Sequence, residues 1–562
     1  MNFKRELAAA LAKCLNINEE LESAIEIPPS PEMGDFAFPC FRLAKTLKKA
    51  PPAIAQELEL ALKNHGMPSF IADVKIAGAY LNFYVCKKAY AKEVIQEALE
   101  KGENYGKTNA GNGKTVVIDF SSPNIAKPFH VGHLRSTVIG HSLYRLYSAC
   151  GYNCVGINHL GDWGTQFGKL MVAYRLWGSG EEDITSLNKL YVKFHEEAKE
   201  NPALDDEARH WLIKMQDGDE EALSLWRRFH DISMKEFDAI YKRLGVTFDS
   251  TKGESFYTDY MPAVVEELKQ KSLLEESEGA MVVNLEDAKM SPCLILRRDG
   301  GSLYPTRDIA AALYRKKTYN FDLCLYITAF DQNLHFAQWF KVVEKMGYPW
   351  ATNLVHVPFG LVTLETGKLS TRAGNVVLME DLLNESVKKT ADIIQEKNPN
   401  LENKDEVAAQ VGIGAVIFHD LYNNRIKDVV FSWERMLSFE GETGPYVQYA
   451  HARACSVLLK ATDNSTTMVD FDALTDDASF ETIKTLSGFS DKIMAAASKN
   501  EPYIVARFLV ALAQSFNRFY HENPILTSEG PTREARLALV RCVKQVLAAG
   551  LTLLGMESPE KM

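Results

Sequence analysis

The chain lacks a run of about 18 consecutive apolar residues, the length that a membrane-spanning helix requires. Its N-terminal segment mixes charged and apolar residues and has no apolar stretch before a small-residue cleavage site, so we expect no secretory signal. Cysteine is scarce, at 9 of 562 residues, and the close pair Cys150 and Cys154 has neither the redox C-x-x-C spacing nor a second pair that would suit zinc. We therefore expect a cytoplasmic protein with reduced thiols, no membrane association and no structural zinc.

An excess of positive charge is also missing. Lys and Arg total 63 against 74 Asp and Glu, which gives a formal net charge of −11. Because phosphate contacts require Lys and Arg, any binding of an anionic polymer must rely on local patches. What is present is an ordinary globular mixture, with 46% hydrophobic and 24% charged residues. At roughly 150 residues per domain, the length predicts three or four domains and excludes a small binding module.

The pattern along the chain divides it into three segments. Residues 1–110 predict an α+β unit that ends in a Gly- and Asn-rich linker. Residues 111–440 contain four strand candidates, and a charge-rich helical insertion of about 170–272 separates the second from the third. Residues 441–562 are helical throughout. The strand candidates of the middle segment are TVVIDF (115–120), CVGINHL (154–160), LCLYIT (323–328) and LVHVPFG (354–360).

Within the first segment, the apolar spacing predicts an amphipathic helix over residues 1–25, which the prolines from Pro28 onward would end. A β-like stretch follows over 73–85, and a second helix is predicted near 87–100. In the middle segment, TVVIDF is followed by a loop and then a helix, which is how a βαβ unit of a nucleotide-binding sheet begins.

The strongest chemical signal is His130-Val131-Gly132-His133, which comes after this first strand and opens a helix. Histidines at i and i+3 lie on one face of a helix, and Gly132 between them lets a flat group approach the backbone. A helix N-terminus favours phosphate. Together these features predict a cradle for a nucleoside triphosphate that is attacked at its α-phosphate. For an isolated H-x-x-H, two ordinary surface histidines would be the alternative.

A second signal lies downstream, in GKLSTRAGN over 367–375. Lys368, Ser370 and Arg372 between glycines are typical of a cationic loop able to close on a departing pyrophosphate. Alone, the same residues fit a solvated turn equally well. The strand–H-x-G-H–helix unit and this loop, found together in one nucleotide-binding pattern, favour the catalytic interpretation of both.

The two signals resemble the HIGH and KMSKS signatures of class I aminoacyl-tRNA synthetases. Longer stretches of the sequence are similar to one family of that class, the arginyl-tRNA synthetases. The resemblance spans nearly the whole chain. It rests on SSPNIAKPFHVGHLRSTVIG, NHLGDWGTQFG, SLYPTRDIAAALYR, GKLSTRAGNVVLMEDLL, FEGETGPYVQYAHARA and LAQSFNRFYHENPIL. It implies an α/β fold with a doubly wound, Rossmann-like parallel sheet in 111–440. Residues 1–110 would be an α+β domain that contacts tRNA, and 441–562 an all-helical anticodon-binding bundle.

The resemblance also implies a reaction, in which L-arginine is joined to its tRNA through an arginyl-adenylate with release of AMP and pyrophosphate. The expected partners are tRNA, L-arginine and ATP with Mg²⁺, without DNA, and the chain would act as a monomer. The second lysine of the KMSKS signature falls at Thr371, so Arg372 or Lys127 would supply that cation, although Lys127 also fits a plain solvated loop. The implied catalytic and ATP-binding residues are Lys127, His130, Gly132, His133, Lys368, Ser370 and Arg372.

For arginine recognition, a guanidinium with five donors suits a carboxylate bound side-on, and Asp308 near the start of a predicted helix is the main candidate. Glu254 is a second, weaker carboxylate. A helix N-cap, or a salt bridge to Arg307 or Arg315, is the alternative role for Asp308. In the family, the matching positions that contact arginine are Ser122, Asn124, His133, Tyr304, Asp308 and Gln332.

The C-terminal residues with base-stacking or base-edge chemistry are the expected tRNA contacts. They are Tyr446, Gln448, Tyr449, Arg453, Asn517 and Tyr520, and for Tyr449 and Tyr520 core packing is an equally good explanation. Two other functions stay open at this point. A catalytically inactive relative that binds RNA would lack ATP-dependent tRNA charging, and a small-molecule adenylyltransferase would need neither end segment.

Overall fold

The computed structural model describes residues 3–17, 20–298, 301, 303–364, 367–368, 377–461 and 468–562. The first segment packs helices against a small antiparallel sheet with the strand order β1-β3-β2. The predicted helix over 1–25 is shorter than expected, because Asn16 adopts a left-handed conformation (φ 51°) and the helix ends at Leu15. The elements are α1 Phe3–Leu15, β1 Phe36–Pro39, α2 Ala44–Leu47, α3 Pro51–His65, β2 Ile71–Ala77, β3 Tyr80–Val85 and α4 Lys87–Lys101.

A parallel sheet begins the second segment. Strand β4 (Thr115–Asp119) leads through a loop into helix α5 (Val131–Ala149) and then to the parallel neighbour β5 (Asn153–Ile157). Four of the five residues of β4 are buried, which fits a central strand covered on both faces. The predicted order of strand, loop and helix is confirmed here.

The long excursion after β5 is mainly helical. Helices α6 to α11 occupy the stretch in which we predicted an insertion, and they are followed by a three-stranded antiparallel sheet that the sequence did not reveal. The elements are α6 Thr165–Trp177, α7 Ile184–Glu200, α8 Ala203–Gln216, α9 Glu220–Leu244, α10 Glu254–Tyr257, α11 Met261–Gln270, β6 Leu274–Ser277, β7 Ala280–Val283 and β8 Cys293–Leu296.

The chain then completes the parallel sheet. Helix α12 (Tyr304–Tyr319) leads to β9 (Leu323–Tyr326), and helix α13 (Asn333–Lys345) leads to β10 (Leu354–His356). The strand order is β10-β9-β4-β5, so the chain moves outward on one side of β4 and returns on the other. Such a reversal opens a crevice at the carboxyl ends of the strands, where ligands of doubly wound sheets bind. The predicted α/β class is confirmed.

The remaining elements include a third three-stranded sheet and a series of helices. In that sheet β11 pairs with β12 antiparallel and with β13 parallel. The elements are β11 Val362–Leu364, β12 Gly367–Lys368, α14 Met379–Lys397, α15 Lys404–Leu421, β13 Val429–Phe431, α16 Trp433–Met436, α17 Gly444–Lys460, α18 Asp477–Ser487, α19 Phe489–Lys499, α20 Tyr503–Glu522 and α21 Gly530–Leu553. None of the described helices is long and apolar enough to cross a membrane.

The chain packs into two compact units, each assembled from stretches that are separated in sequence. One unit contains 1–105, 453–489 and 511–546, so helices from the C-terminal segment cluster with the N-terminal one. The other contains 106–452, 490–510 and 547–562.

A buried ion pair holds the helix that begins at the H-x-G-H motif. The Nε of Arg135 in α5 lies 3.0 Å from Oδ2 of Asp420 in α15, and both side chains are almost fully buried. One guanidinium nitrogen of Arg135 also donates to the carbonyls of Gly360 and Lys427, each at 2.8 Å. Because breaking such a pair leaves a charge buried without a partner, this helix is firmly anchored.

Candidate functional site

The two histidines of the motif stand together at the N-terminus of α5. His130 is the N-cap residue, and its Nδ1 accepts a hydrogen bond from the backbone N–H of Gly132 at 3.0 Å. The Nδ1 of His133 accepts from the backbone N–H of His130 at 3.2 Å. The two rings pack against each other with centroids 3.9 Å apart.

These contacts determine which nitrogen carries the proton in each ring. Burial, and then the positive charge of Lys127, lower the pKa of His130 below its usual 6.5. Burial, followed by the charges of His130 and Lys127, lowers the pKa of His133 well below the same value. Both rings are therefore neutral at pH 7, and since each Nδ1 accepts a hydrogen bond, the proton is on Nε2. Each ring presents one N–H donor at a helix N-terminus.

Gly132 is required by the ring of His130 and not only by an approaching ligand. A Cβ at position 132 would lie 2.7 Å from Cε1 and 2.8 Å from Nδ1 of that ring. A larger residue would therefore push His130 out of its capping position.

The chain returns to the motif directly after the cationic loop. Val377 accepts a hydrogen bond from the N–H of Val131, and Leu378 forms an antiparallel bridge with His130. Lys368 lies at the other end of the loop, in strand β12, and its side chain falls outside what the structure describes. Ser370, Thr371 and Arg372 lie outside the described residues. The described residues that flank the loop are therefore β12 on one side and, on the other, Val377 and Leu378 beside His130.

The loop between β4 and α5 carries two of the predicted arginine contacts. Ser122 has a positive φ of 51°, uncommon for a serine, and its hydroxyl donates to Oδ1 of Asp119 at 3.0 Å. Its backbone N–H donates to Oδ1 of Asn158, which follows β5. Asn124 forms a parallel bridge with Gly161. The hydrogen bonds of Ser122 and the bridge of Asn124 therefore place both residues near the carboxyl ends of β4 and β5.

Asp308 has a different environment from either alternative considered above. It is the fifth residue of α12, so it does not cap the helix, whose N-cap is Leu303. Its Oδ2 lies 2.6 Å from Nε2 of His335 in α13. The capping and arginine salt-bridge roles are both wrong for this structure, because Arg307 and Arg315 face other carboxylates.

Those two arginines form ion pairs of their own. Arg307 lies 3.1 Å from Glu254, and the fully buried Arg315 lies 2.8 Å from Asp119. Burial raises the pKa of Glu254 to about 7, although the positive charge of Arg307 acts in the opposite direction. Glu254, the weaker predicted arginine contact, is therefore engaged by a protein guanidinium.

The other predicted arginine contacts lie on the exposed side of this group. Tyr304, one turn before Asp308 on α12, is 66% exposed, and its ring is 5.9 Å from the Arg307 guanidinium. Gln332 is exposed at the end of the turn that precedes α13. Both side chains are accessible to a ligand that approaches Asp308.

Sequence reasoning missed four residues of this site. His159 is partly buried among charges from Asp119, Asp308, Asp162 and Arg315, and desolvation is the main cause that lowers its pKa. Its Nδ1 lies 3.3 Å from Arg315. His335, Asp119 and Arg315 complete the group. A charged residue at the end of an apolar strand, as Asp119 is in TVVID, was the available signal.

Three of the predicted tRNA contacts lie together in the unit that contains the N-terminal segment. The guanidinium of Arg453 is 5.2 Å from the ring centre of Tyr520, and it donates a hydrogen bond to Oδ1 of Asn517. Tyr520 is 41% exposed, so core packing does not account for it. A cation held over an exposed ring is a surface on which a base can stack.

The other three lie in the N-terminal part of α17, in the second unit. Tyr449 is 39% exposed and Tyr446 is partly exposed. Gln448 differs, because it is fully buried and its Nε2 donates to the carbonyls of Gln410 at 3.1 Å and Glu557 at 2.9 Å. The side-chain amide of Gln448 therefore links two backbone segments in the core and is not accessible to a base.

Within the described ranges, no cluster of three or more His, Cys, Asp or Glu side chains is placed so that it could hold a metal ion. The carboxylates around Asp308 are instead distributed among arginine and histidine partners.

Three family models match the chain in order. Residues 1–85 match the arginyl tRNA synthetase N terminal domain, 94–433 the catalytic domain of tRNA synthetases class I (R), and 447–562 the DALR anticodon binding domain.

Individual proteins agree with these models. The chain is 57% identical to an arginine–tRNA ligase of Alkaliphilus metalliredigens, over 97% of this chain and 96% of the relative. It is 53% identical to one of Clostridioides difficile, over 99% and 100%. The solved arginyl-tRNA synthetase of Thermus thermophilus covers both chains fully with a TM-score of 0.83 at 26% identity. The chain belongs to the arginyl-tRNA synthetase family of class I.

Proposed function

We propose that the chain attaches L-arginine to its tRNA at the expense of ATP, through an arginyl-adenylate. The observation that carries the choice of amino acid is the pairing of the site carboxylates. Asp119 and Glu254 each face an arginine of the protein, whereas Asp308 faces a histidine. Asp308 is thus the one of these three carboxylates without an arginine partner, and a substrate guanidinium can take that place, with the accessible ring of Tyr304 on the same helix.

In the first step, an oxygen of the arginine α-carboxylate attacks the α-phosphorus of ATP. The bond to the bridging oxygen breaks, and pyrophosphate leaves with the electron pair. Charge on the phosphoryl oxygens is stabilised by preorganised donors, which is the role of the Nε2–H groups of His130 and His133. In the second step, the terminal ribose hydroxyl of tRNA attacks the adenylate carbonyl and AMP leaves.

The triphosphate also needs cations. Lys368, Ser370 and Arg372 of the loop would bind the β- and γ-phosphates, and Mg²⁺ would accompany ATP as part of the substrate. Lys127, three residues before His130, would supply the charge that Thr371 does not. Ser122, Asn124 and Gln332 would hold the α-amino and α-carboxylate groups of arginine.

The direct test is aminoacylation of bulk tRNA with each of the twenty amino acids and ATP. Charging with arginine alone supports the proposal. No charging with any amino acid would instead favour the inactive RNA-binding relative. A cytoplasmic location and a monomeric state complete the proposal, and size-exclusion chromatography of the full chain tests the second.

We expect arginine activation to depend on tRNA. With arginine and ATP alone, ATP–pyrophosphate exchange should be slow, and cognate tRNA should accelerate it, because tRNA would shift the population toward an ordered site. The measurement compares exchange in an RNA-free preparation with and without added tRNA. Equally fast exchange in both samples would contradict the expectation.

The affinity for tRNA should fall as salt rises. Each neutralised phosphate contributes a slope of about −0.7 to −0.9 in a plot of log affinity against log salt. With a net charge of −11, the chain must make these contacts through local patches. A KM for tRNA that stays constant between about 50 and 200 mM salt, concentrations at which the effect is typically large, would contradict this.

A further inference from the structure

His335 contacts the side-chain carboxylate of Asp308, which we propose as the partner of the substrate guanidinium. The distance of 2.6 Å between its Nε2 and Oδ2 of Asp308 requires a proton between the two atoms, and an ionised carboxylate has none to give. His335 is therefore the donor. Both side chains are about one quarter exposed, so the pair lies at the edge of the protein interior, within reach of a ligand.

The type of side chain that is paired with a carboxylate affects whether that carboxylate can also bind a cationic substrate. The guanidinium groups of Arg307 and Arg315 carry a permanent positive charge and already occupy Glu254 and Asp119. A histidine can donate one hydrogen bond while it is uncharged, so it orients a carboxylate without cancelling its charge. The contact also uses one oxygen, Oδ2, and leaves Oδ1 with its lone pairs.

We propose that His335 is a positioning residue for arginine recognition, which holds Oδ2 of Asp308 so that Oδ1 and the charge of the carboxylate face the substrate guanidinium. The inference rests on the function proposed above. A guanidinium bound side-on needs the carboxylate plane in a fixed orientation, and each oxygen has two lone pairs, so Oδ2 can accept from His335 and from the substrate. Without its donor, the Asp308 side chain rotates more freely, and substrate binding must then fix it.

The test compares two variants of the full chain. His335→Leu removes the donor, and His335→Gln replaces it, because the Nε2 of glutamine lies about as far from the backbone as the Nε2 of histidine. A hydrogen bond to a charged group is worth roughly 10- to 150-fold in an equilibrium constant. We expect the leucine variant to raise the KM for arginine by a factor in this range, with the KM for ATP unchanged and kcat changed much less. The glutamine variant should recover most of the loss.

Gln338→Leu is the matched control. Gln338 lies on the same helix, three residues after His335, and its amide donates to the carbonyl of Ser291 at 2.9 Å. This variant removes a hydrogen bond from α13 without touching Asp308, so its KM for arginine should be normal. Thermal melting of all three variants establishes that they are folded.

A folded leucine variant with an unchanged KM for arginine would overturn the assignment, as would a glutamine variant that is impaired as severely as leucine. In an Asp308→Asn background, His335→Leu should add little, because both changes act on one contact; full additivity would also overturn it. If wild-type protein fails to charge arginine at all, the proposed function fails instead.

Discussion

Replacing Asp308 with asparagine should lower kcat/KM for arginine by roughly 30- to 4,000-fold. The substitution keeps the shape of the side chain but removes the negative charge and one acceptor. Truncating one partner of a desolvated charge pair costs about 2–5 kcal/mol, and 1.4 kcal/mol corresponds to a tenfold change. The KM for ATP should change little, because the histidines that we assign to the phosphates belong to another helix, α5. Steady-state aminoacylation with arginine and ATP varied in turn measures both quantities.

The control for this experiment is Asp287→Asn. Asp287 is an exposed carboxylate of the same segment, paired with Lys345 at 2.9 Å, and its loss should leave arginine kinetics unchanged. Since Asp308 does not cap α12, the asparagine variant should also melt near the wild-type temperature. A folded Asp308→Asn protein that charges arginine at near-wild-type efficiency would show that another group selects the amino acid.

The parallel sheet could be predicted because its strands have a simple pattern. TVVIDF, CVGINHL, LCLYIT and LVHVPFG are short, largely apolar runs, and each overlaps an observed strand whose ends lie within a few residues of the predicted ones. The alternation of strand, loop and helix then fixed the βαβ interpretation. In the antiparallel sheet from β6 to β8, strand β6 was missed because it is mostly polar and exposed, so it lacks the apolar run that marks the strands of the parallel sheet.

The partners of the charged residues could not be predicted in the same way. Arg307 and Asp308 are neighbours in sequence, yet they project toward different elements and meet Glu254 and His335. Such pairings depend on how helices pack, and sequence spacing along one helix does not contain that information. For the same reason, the two alternative roles considered for Asp308 were wrong, while its role as an arginine contact stays a prediction.

Burial was the second property that the sequence could not supply. Gln448 and Tyr449 are adjacent on α17, and both have the chemistry of a base contact. The structure places the first in the core and leaves the second 39% exposed. Adjacent residues of a helix point about 100° apart, so one of the two often faces inward, and an irregular apolar pattern does not tell which.

The donor role of the motif histidines can be separated from their structural role at His130. His130 caps α5 through Nδ1, and its Nε2–H is the group that we assign to the phosphates. His130→Asp keeps a capping acceptor but has no N–H to donate. Aspartate is among the best N-cap residues, and Asp183 already caps α7 in this chain through the N–H of Ser186.

We therefore expect the His130→Asp protein to keep its stability and to form the adenylate about 10²- to 10³-fold more slowly, the effect of losing one transition-state donor. His130→Ala loses the cap as well, and its free energy of unfolding should fall by about 1 kcal/mol. Single-turnover arginylation in the presence of saturating tRNA and ATP measures the rate, and thermal or urea unfolding measures the stability. If the aspartate variant arginylates at the wild-type rate while the alanine variant is slow and unstable, His130 serves the helix and not the phosphates, and His133 would be left as the donor at this end of α5.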